Sequence, residues 1–468
     1  MRSTKIICTL GPASDTKEQV ERLVSAGMNI ARINLSHGTR DDQRRRIRQI
    51  KELRGSDRTA LSVMLDTQGA EIRTGDVPTP VSIRAGEEVI FAPSPPPGEK
   101  RTVILVNYDA FSKDVREASS ILIDNGELLF DLVEVREDGS VLARAQEAGK
   151  IGSRRHVNLP GATIDLPSIT EKDWSDIAFA VEEGVDFIAL SFIRSAAEIE
   201  EVIRFLRDRK SDISVVAKIE TKQAVDDVEN IIHTADGIMV ARGDLGAEVP
   251  FESVPVMQDE IVARAREHGK PVIVATHMLE SMIHLPTPTR AEVTDIAHAA
   301  TTRADATMLS AETAMGRFPL LALQAMDRVL QATEQHLARF VRADDVGVRT
   351  ERDARAEAAV TLARSTNAAA LVVITRTGQT AKDIARFRPT LPIIAFTERE
   401  EVQRSMQLHY GITPLVTTLQ GDPENTVLAA FQEVRRRGLL QADDRVVLVS
   451  DAKAHELPMN TIQLRSLS

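Results

Sequence analysis

The stretch Ser214-Val215-Val216-Ala217-Lys218-Ile219-Glu220 decides the fold. An apolar run ends in a lysine, one apolar residue and a glutamate. Side chains alternate along a strand with period two, so Lys218 and Glu220 project from one face at the strand's end. An ammonium beside a carboxylate suits a divalent metal together with a point charge on a transferring phosphoryl group or an enolate.

Working outward, similar short apolar runs recur at Lys5–Leu10, Ile30–Leu35, Leu61–Leu65, Phe187–Phe192, Gly237–Val240, Val272–Ala275 and Ala306–Leu309. All but the third are followed by a helix-like pattern, among them Lys17–Ser25, Ser195–Arg209, Val256–Glu267 and Leu320–Leu337. Eight such units predict an α/β fold, a (β/α)8 TIM barrel in which Ser214–Ile219 is the fifth strand. A doubly wound open sheet would need a glycine-rich turn after its first strand, and no GxGxxG follows Leu10.

The third unit is interrupted. From Gly75 to Val157 the chain carries Pro78, Pro80, Pro93 and Pro95-Pro96-Pro97, with strand-like pieces at Val103–Val106, Ile121–Ile123, Leu128–Val135 and Val141–Ala143. This reads as a small all-β lid domain inserted in a barrel loop. A charged stretch, Arg342–Arg355, reads as a boundary or linker helix. Beyond it, strand-like Leu371–Thr375, Ile393–Phe396 and Val446–Val449 alternate with helical patterns. The expected division is 1–74 and 158–341 for the barrel, 75–157 for the lid and 342–468 for a C-terminal α/β domain.

Composition bounds the function. The 468 residues are too many for one ordinary domain, and 43% hydrophobic with 27% charged residues is a globular balance. A net charge of −11 argues against a basic nucleic-acid surface. The single cysteine, Cys8, rules out an intrachain disulfide and reads as a small buried residue, which fits a reducing compartment. No run approaches the roughly 18 apolar residues of a membrane span. The N-terminus passes straight into a strand, without the apolar run of a signal peptide. A cytoplasmic, bacterial-type protein with neither membrane nor nucleic-acid partners is expected.

In a βα barrel, functional side chains collect at the C-terminal ends of the strands. Glu220 and Asp244, from adjacent strand ends, would share one hard cation, magnesium. The turn Gly243-Asp244-Leu245-Gly246 allows close backbone approach, so its N–H groups would hold a carboxylate. Lys218 and Arg32 are the natural electrophiles. Asn34 and Ser36 with Asp66 and Thr67 form an oxygen set suited to a monovalent cation, and Thr276 would donate a proton directly or through water. A barrel-end Glu or Asp facing a Lys reads, taken singly, equally well as a structural ion pair. His37 and His277 read either as turn residues or as site residues. His233, His268, His284 and His298 read as ordinary surface or core histidines.

The chain resembles pyruvate kinase along essentially its whole length. The resemblance rests on the segments Arg32–Gly38, Leu65–Gly75, Val216–Glu220, Val240–Gly246, Ala275–Met282, Pro288–Glu292 and Leu309–Ala314. It implies phosphoryl transfer from phosphoenolpyruvate to ADP, giving pyruvate and ATP, in a barrel with an inserted lid and a C-terminal α/β domain. Lys218 would stabilise the transferring group and the enolate, and Glu220 and Asp244 would bind Mg2+. Gly243, Asp244 and Thr276 would hold the substrate carboxylate, with Thr276 near the proton path. Arg32, Asn34, His37 and Arg73 would contact nucleotide or phosphate. Asn34, Ser36, Asp66 and Thr67 match the family's K+ ligands, and Glu71 matches the acid that marks potassium dependence. Thr375, Thr377, Gly378 and Thr380 resemble a phosphorylated-effector loop, and a homotetramer is the family's assembly. Gln68, Asn125, Ser195 and His277 depart from the usual pattern. Two lysines are lost on the nucleotide side, at Gln68 and Ser195, so weak nucleotide affinity is expected. The alternatives are a catalytically impaired regulatory paralogue and a metal-dependent lyase or aldolase working on a pyruvate enolate.

Overall fold

Eight parallel strands close in sequence order in the computed structural model of the chain, which describes residues 2–57, 60–124, 126–162, 164, 166–340, 347–420, 422–454 and 457–467. The strands are β1 (Lys5–Thr9), β2 (Ile30–Asn34), β3 (Ser62–Asp66), β4 (Phe187–Leu190), β5 (Ser214–Ile219), β6 (Gly237–Ala241), β7 (Val272–Ala275) and β8 (Ala306–Leu309). β8 pairs back onto β1 through Lys5 opposite Ala306. Both faces are buried, so the strands read as nearly continuous apolar runs rather than as alternations. One parity faces the helices, with Ile6, Cys8, Ile33, Leu65, Val215 and Ala217 in the outer core. The other parity fills the barrel, with Ile7, Ile30, Met64, Val216, Met239 and Ile273. Carried two residues on, this inner parity leads from Ile30 to Arg32, from Met64 to Asp66 and from Val216 to Lys218 and Glu220. Cys8 lies in the outer core, and burial pushes its thiol up.

Between β3 and β4 the chain forms a six-stranded sheet and a two-stranded ribbon. The sheet uses the four expected strands and two more, Glu88–Ala92 and Val157–Asn158; the ribbon pairs Val81–Ile83 with Gly149–Ile151. Phe91, Phe111 and Phe130 anchor its separate core. At the neck, Arg73 bridges to His156 and Thr74 to Val106, which brings the 153–156 turn back to the strand leaving the barrel.

The C-terminal region has five strands: β9 (Ala370–Ile374), β10 (Ile393–Thr397), β11 (Ile412–Val416), β12 (Arg445–Ala454) and β13 (Leu457–Ser466). Their order is β11-β10-β9-β12-β13, antiparallel only at the last pair. Two strands had escaped the sequence reading. β11 carries Pro414, which is tolerated because the strand lies at the edge. Of the expected linker, 342–346 falls outside the described residues; helix Glu351–Ser365 starts within the rest, capped by Thr350. Among the described residues no helix is long and apolar enough to cross a membrane.

This region closes the N-terminal mouth of the barrel. Leu408 enters the inner core beside Phe187 and Met239. Lys5 Nζ donates to the Ile412 carbonyl at 2.5 Å, and Ser62 to the Arg404 carbonyl at 2.9 Å. Arg388 grips Asp305 with both amino groups, at 2.9 and 2.5 Å, while Asp305 also accepts from the Val272 and Tyr410 backbones. Both side chains of that pair are at most 3% exposed. Removing one partner of such a pair strands the other charge. Asp305→Ala is expected to cost ~3–5 kcal/mol, read as a lowered denaturation midpoint; an unchanged midpoint would exclude the pair as the clamp between the two regions.

Candidate active site

Inner parity delivers four charges, on Arg32, Asp66, Lys218 and Glu220, to the C-terminal end of the barrel. Lys218 Nζ lies 3.1 Å from Asp66 Oδ1, 2.7 Å from Glu220 Oε1 and 2.7 Å from Ser191 Oγ. Arg32 donates from Nε to Asp66 Oδ2 at 2.7 Å and from Nη1 to Thr9 at 2.9 Å. Asp66 is fully buried, and Lys218 and Arg32 are each only 7% exposed. Burial alone would lift the Asp66 carboxyl, but Arg32 and Lys218 outweigh it and hold the group below its ordinary value. Burial would likewise favour neutral Lys218, yet Asp66 and Glu220 prevail and its pKa rises. The floor of the site is therefore a fixed ammonium and guanidinium sharing one carboxylate.

Above this floor lies a cleft of about 490 Å³ between the barrel end and the inserted sheet. Lys218, Arg32, Glu220, Asp244, Glu71 and Arg73 line it from the barrel side, and Asp124 with 153–156 from the sheet. Glu220 Oε2 accepts from the Phe192 N–H at 2.8 Å. Its Oε1 is buried and, despite its closeness to Lys218, has no aligned hydrogen-bond donor. Burial pushes Glu220 up, and the facing Asp244 adds to the rise. Glu71 is pushed to about 7 by burial, Asp244 again adding, against the opposing Arg73 with which it pairs. Two carboxyls raised by burial beside the Asp244 carboxylate, one of them with an unsatisfied buried oxygen, are a donor set that fits a hard divalent cation.

The remaining expected residues fall as follows. Asn34, Ser36, His37 and Thr67 line the same cleft. Asn34 Oδ1 accepts from the Ser36 N–H at 3.0 Å, and Thr67 Oγ1 from the Ser191 N–H at 3.1 Å. Burial, with Arg73 and Arg32 adding, lowers His37. Thr276 and Gly243 do not line the main cleft but join at its side, where the Gly243 N–H donates to Thr276 Oγ1 at 2.8 Å. Thr276 adopts φ +66°, rare for a β-branched residue, and its hydroxyl is tied to the Ala275 carbonyl at 2.6 Å. The Thr375–Thr380 loop sits apart, on the C-terminal region. Thr375 Oγ1 accepts from the Gly378 N–H at 3.1 Å, and Thr380 donates to Asp451. Of the departures, Gln68 lines the cleft, Ser195 caps helix Ala196–Asp208 outside its lining, and His277 is exposed near Glu280. Asn125 lies outside the described residues.

The sequence reading missed Ser191. Its hydroxyl donates to the Thr67 carbonyl at 2.7 Å, lies 3.1 Å from Asp66, and receives the Lys218 ammonium. The signal was present, since Ser191 directly follows β4 on the inner parity, but it sat inside a run counted as apolar. Gly69 beside it is required: at φ +74° an added Cβ would lie 2.8 Å from the Phe192 ring and the Ser191 carbonyl. His156, its ring against Phe192 and Nδ1 3.9 Å from Asp244, was also missed, because it arrives from the insertion.

Comparison with known proteins agrees with this geometry. The family description "Pyruvate kinase, barrel domain" matches residues 1–323 and "Pyruvate kinase, alpha/beta domain" residues 353–464. Plastidial pyruvate kinase 2 of Arabidopsis thaliana is 40% identical over 455 residues, covering 96% of this chain and 78% of its own. Pyruvate kinase of Thermotoga maritima is 36% identical over 465 residues, covering 99% of both chains. The crystal structure of a pyruvate kinase from Cryptosporidium parvum superposes with a TM-score of 0.90 at 32% identity, covering 100% of this chain and 96% of that one. Nothing in these matches favours the paralogue or the lyase. The cytoplasmic expectation is overturned: relatives sharing 40% identity are plastidial or chloroplastic enzymes of Arabidopsis thaliana and Nicotiana tabacum, names that point to a plastid rather than the cytoplasm. The chain belongs to the pyruvate kinase family, metal-dependent phosphotransferases that act on phosphoenolpyruvate and ADP.

Proposed function

We propose that the chain works as a Mg2+- and K+-dependent pyruvate kinase, with 1–74 and 158–341 as the catalytic barrel, 75–157 as the lid and 342–468 as a regulatory domain. The observation that carries this reading is the Lys218 ammonium, buried at the cleft floor and fixed by Asp66, Glu220 and Ser191. Phosphoryl transfer asks mainly for positioning and charge stabilisation. Lys218 and Arg32 supply that charge in place, with no reorganisation at the moment of transfer. Glu220 and Asp244 would hold Mg2+, which when bound supplies charge to phosphoryl and enolate oxygens. Asn34, Ser36, Asp66 and Thr67 would hold K+. The Gly243 and Asp244 backbone and Thr276 take the substrate carboxylate, and the Thr276 hydroxyl lies on the proton path to pyruvate. Arg73, whose buried Nε has no partner, meets nucleotide phosphate together with Asn34 and His37. With Gln68 in place of a cation, Arg154 and Arg155 join Arg73 as positive groups lining the cleft. The 375–380 loop takes a phosphorylated effector once Thr380 releases Asp451, and the assembly is a homotetramer.

Lys218→Met should lower kcat for pyruvate formation from phosphoenolpyruvate and ADP by at least ~10²–10³-fold; near-normal turnover in a coupled assay would sink the role given to that ammonium. Exchanging K+ for tetramethylammonium at saturating Mg2+ should abolish most of the turnover, and an unchanged rate would remove the monovalent site. Glu71 gives a third test, in the metal-free protein. Its pKa is raised from 4.5 to about 7 on folding, so its contribution to stability is complete below 4.5 and is lost as pH rises through about 7. Melting temperature should fall across that window, and Glu71→Gln should flatten the fall; parallel profiles for the two proteins would contradict it.

A further inference from the structure

Away from the cleft, two histidines read from the sequence as ordinary meet on the flank of the barrel. Glu229 and His233 are four residues apart on helix Val228–Thr234 and so share a face. His268 ends the next long helix, Val254–Glu267. His268 Nε2 lies 2.7 Å from Glu229 Oε1, and the two imidazole rings are 4.2 Å apart between centroids. One ligand atom from each of the three residues lies within 4.8 Å of the others, the one such cluster of His, Cys, Asp and Glu side chains among the described residues. His233 Nδ1 lies 2.8 Å from the Glu229 carbonyl oxygen. A proton on Nδ1 there leaves Nε2 as the lone-pair nitrogen and fixes the ring, as a backbone carbonyl does behind a metal-bound histidine.

We propose that Glu229, His233 and His268 form a site for a borderline divalent transition metal, of which Zn2+ is the probe. Two imidazoles and one carboxylate lack both the all-oxygen set that magnesium prefers and the thiolates of soft-metal sites, and they suit Zn2+, Ni2+ or Cu2+. With the rings tilted by 57° and 4.2 Å apart, one metal ion between them can take a nitrogen from each together with the carboxylate. Glu229 and His233 are about half exposed, at 50% and 58% of their side-chain surface, so an ion reaches them and they can turn to close around it, while His268, at 14%, is the fixed ligand.

The location gives the ion a structural consequence. It would tie the two helices together where the second meets the C-terminal region: Arg386 donates to the Arg266 carbonyl at 3.3 Å, and Arg349 pairs with Glu267 at 3.3 Å. Lys270 already ties the same corner from within, donating to the His233 carbonyl at 3.2 Å and the Ala235 carbonyl at 2.6 Å. A ligand that binds only the folded state stabilises it by RT ln(1 + L/Kd), L being its free concentration, and so raises the melting temperature as that concentration exceeds Kd.

The test is a Zn2+ titration of chelator-stripped, full-length protein in a large excess of Mg2+, which keeps the catalytic carboxylates engaged. The expected result is one Zn2+ equivalent whose affinity falls by at least about tenfold in His233→Ala and in Glu229→Gln, with the Zn2+-dependent rise in melting temperature lost in both. Both positions are exposed, so the test stands even where His268→Ala fails to fold. With Cu2+ as a paramagnetic probe, the nitrogen couplings should indicate two imidazoles in the parent and one in His233→Ala. No Zn2+ binding under these conditions, or equal affinity and equal thermal gain in parent and His233→Ala, would overturn the proposal.

Discussion

The structure turns on one buried ion cluster. Lys218 sits in the barrel interior with its ammonium 2.7 Å from Glu220 and 3.1 Å from Asp66, and Asp66 in turn takes Arg32 at 2.7 Å. Each of these charges would cost several kcal/mol to desolvate alone. Together they are tolerable because every one faces an opposite charge, Ser191 accepts from the Lys218 ammonium, and Glu220 Oε2 takes the Phe192 N–H. The requirement reaches into the strands. β2, β3, β4 and β5 must each present the same parity at the same height, because a slip of one residue would turn a charge out into the apolar helix layer.

That constraint explains the contrast between the two ends of the barrel. At the N-terminal mouth the chain spends its polar groups on closure: Leu408 plugs the interior, and Arg388 neutralises Asp305 in a fully satisfied network. At the C-terminal mouth the polar groups are left incomplete. Glu220 Oε1 and Arg73 Nε are buried without aligned partners, and Thr276, His277 and Phe192 hold positive φ. Arg303 and Arg388 also hold positive φ at the N-terminal mouth, and Thr4 Oγ1 and Gln407 Oε1 are buried there without partners, but at the C-terminal mouth the incomplete groups line a cleft that a ligand can enter.

How much of this was legible follows from range. Period-two alternation was enough to put Lys218 and Glu220 on one face, the strand ends were enough to collect Arg32 and Asp66 near them, and the count of eight runs was enough for the barrel. Ser191 obeys the same rule but was hidden in an apolar-looking run. Val81–Ile83 and Gly149–Ile151 gave no signal, because unlike the equally short Ile121–Ile123 they are interrupted by Ser82 and Lys150 and are not continuous apolar runs, and their pairing is non-local. The pairing of His268 with Glu229 joins two helices 39 residues apart, and nothing local marks it. The thiol at Cys8 needed no partner to be read as buried, because its place on the outer parity of β1 follows from the same alternation.

The electrostatics of the cleft carry the reasoning one step further. Its floor is cationic and self-compensated: Asp66 is held ionised and Lys218 protonated across the neutral range. Its rim is anionic and under-compensated: Glu220 and Glu71 are both raised by burial and by the shared neighbour Asp244. A phosphorylated, carboxylated substrate is attracted by the floor and repelled by the rim. Cations held by Glu220, Asp244 and Glu71 would supply charge that offsets this repulsion, while Lys218 and Arg32 keep theirs in place for the oxygen that gains charge during transfer. In this arrangement metal dependence follows from crowding carboxylates around a buried lysine that must stay charged.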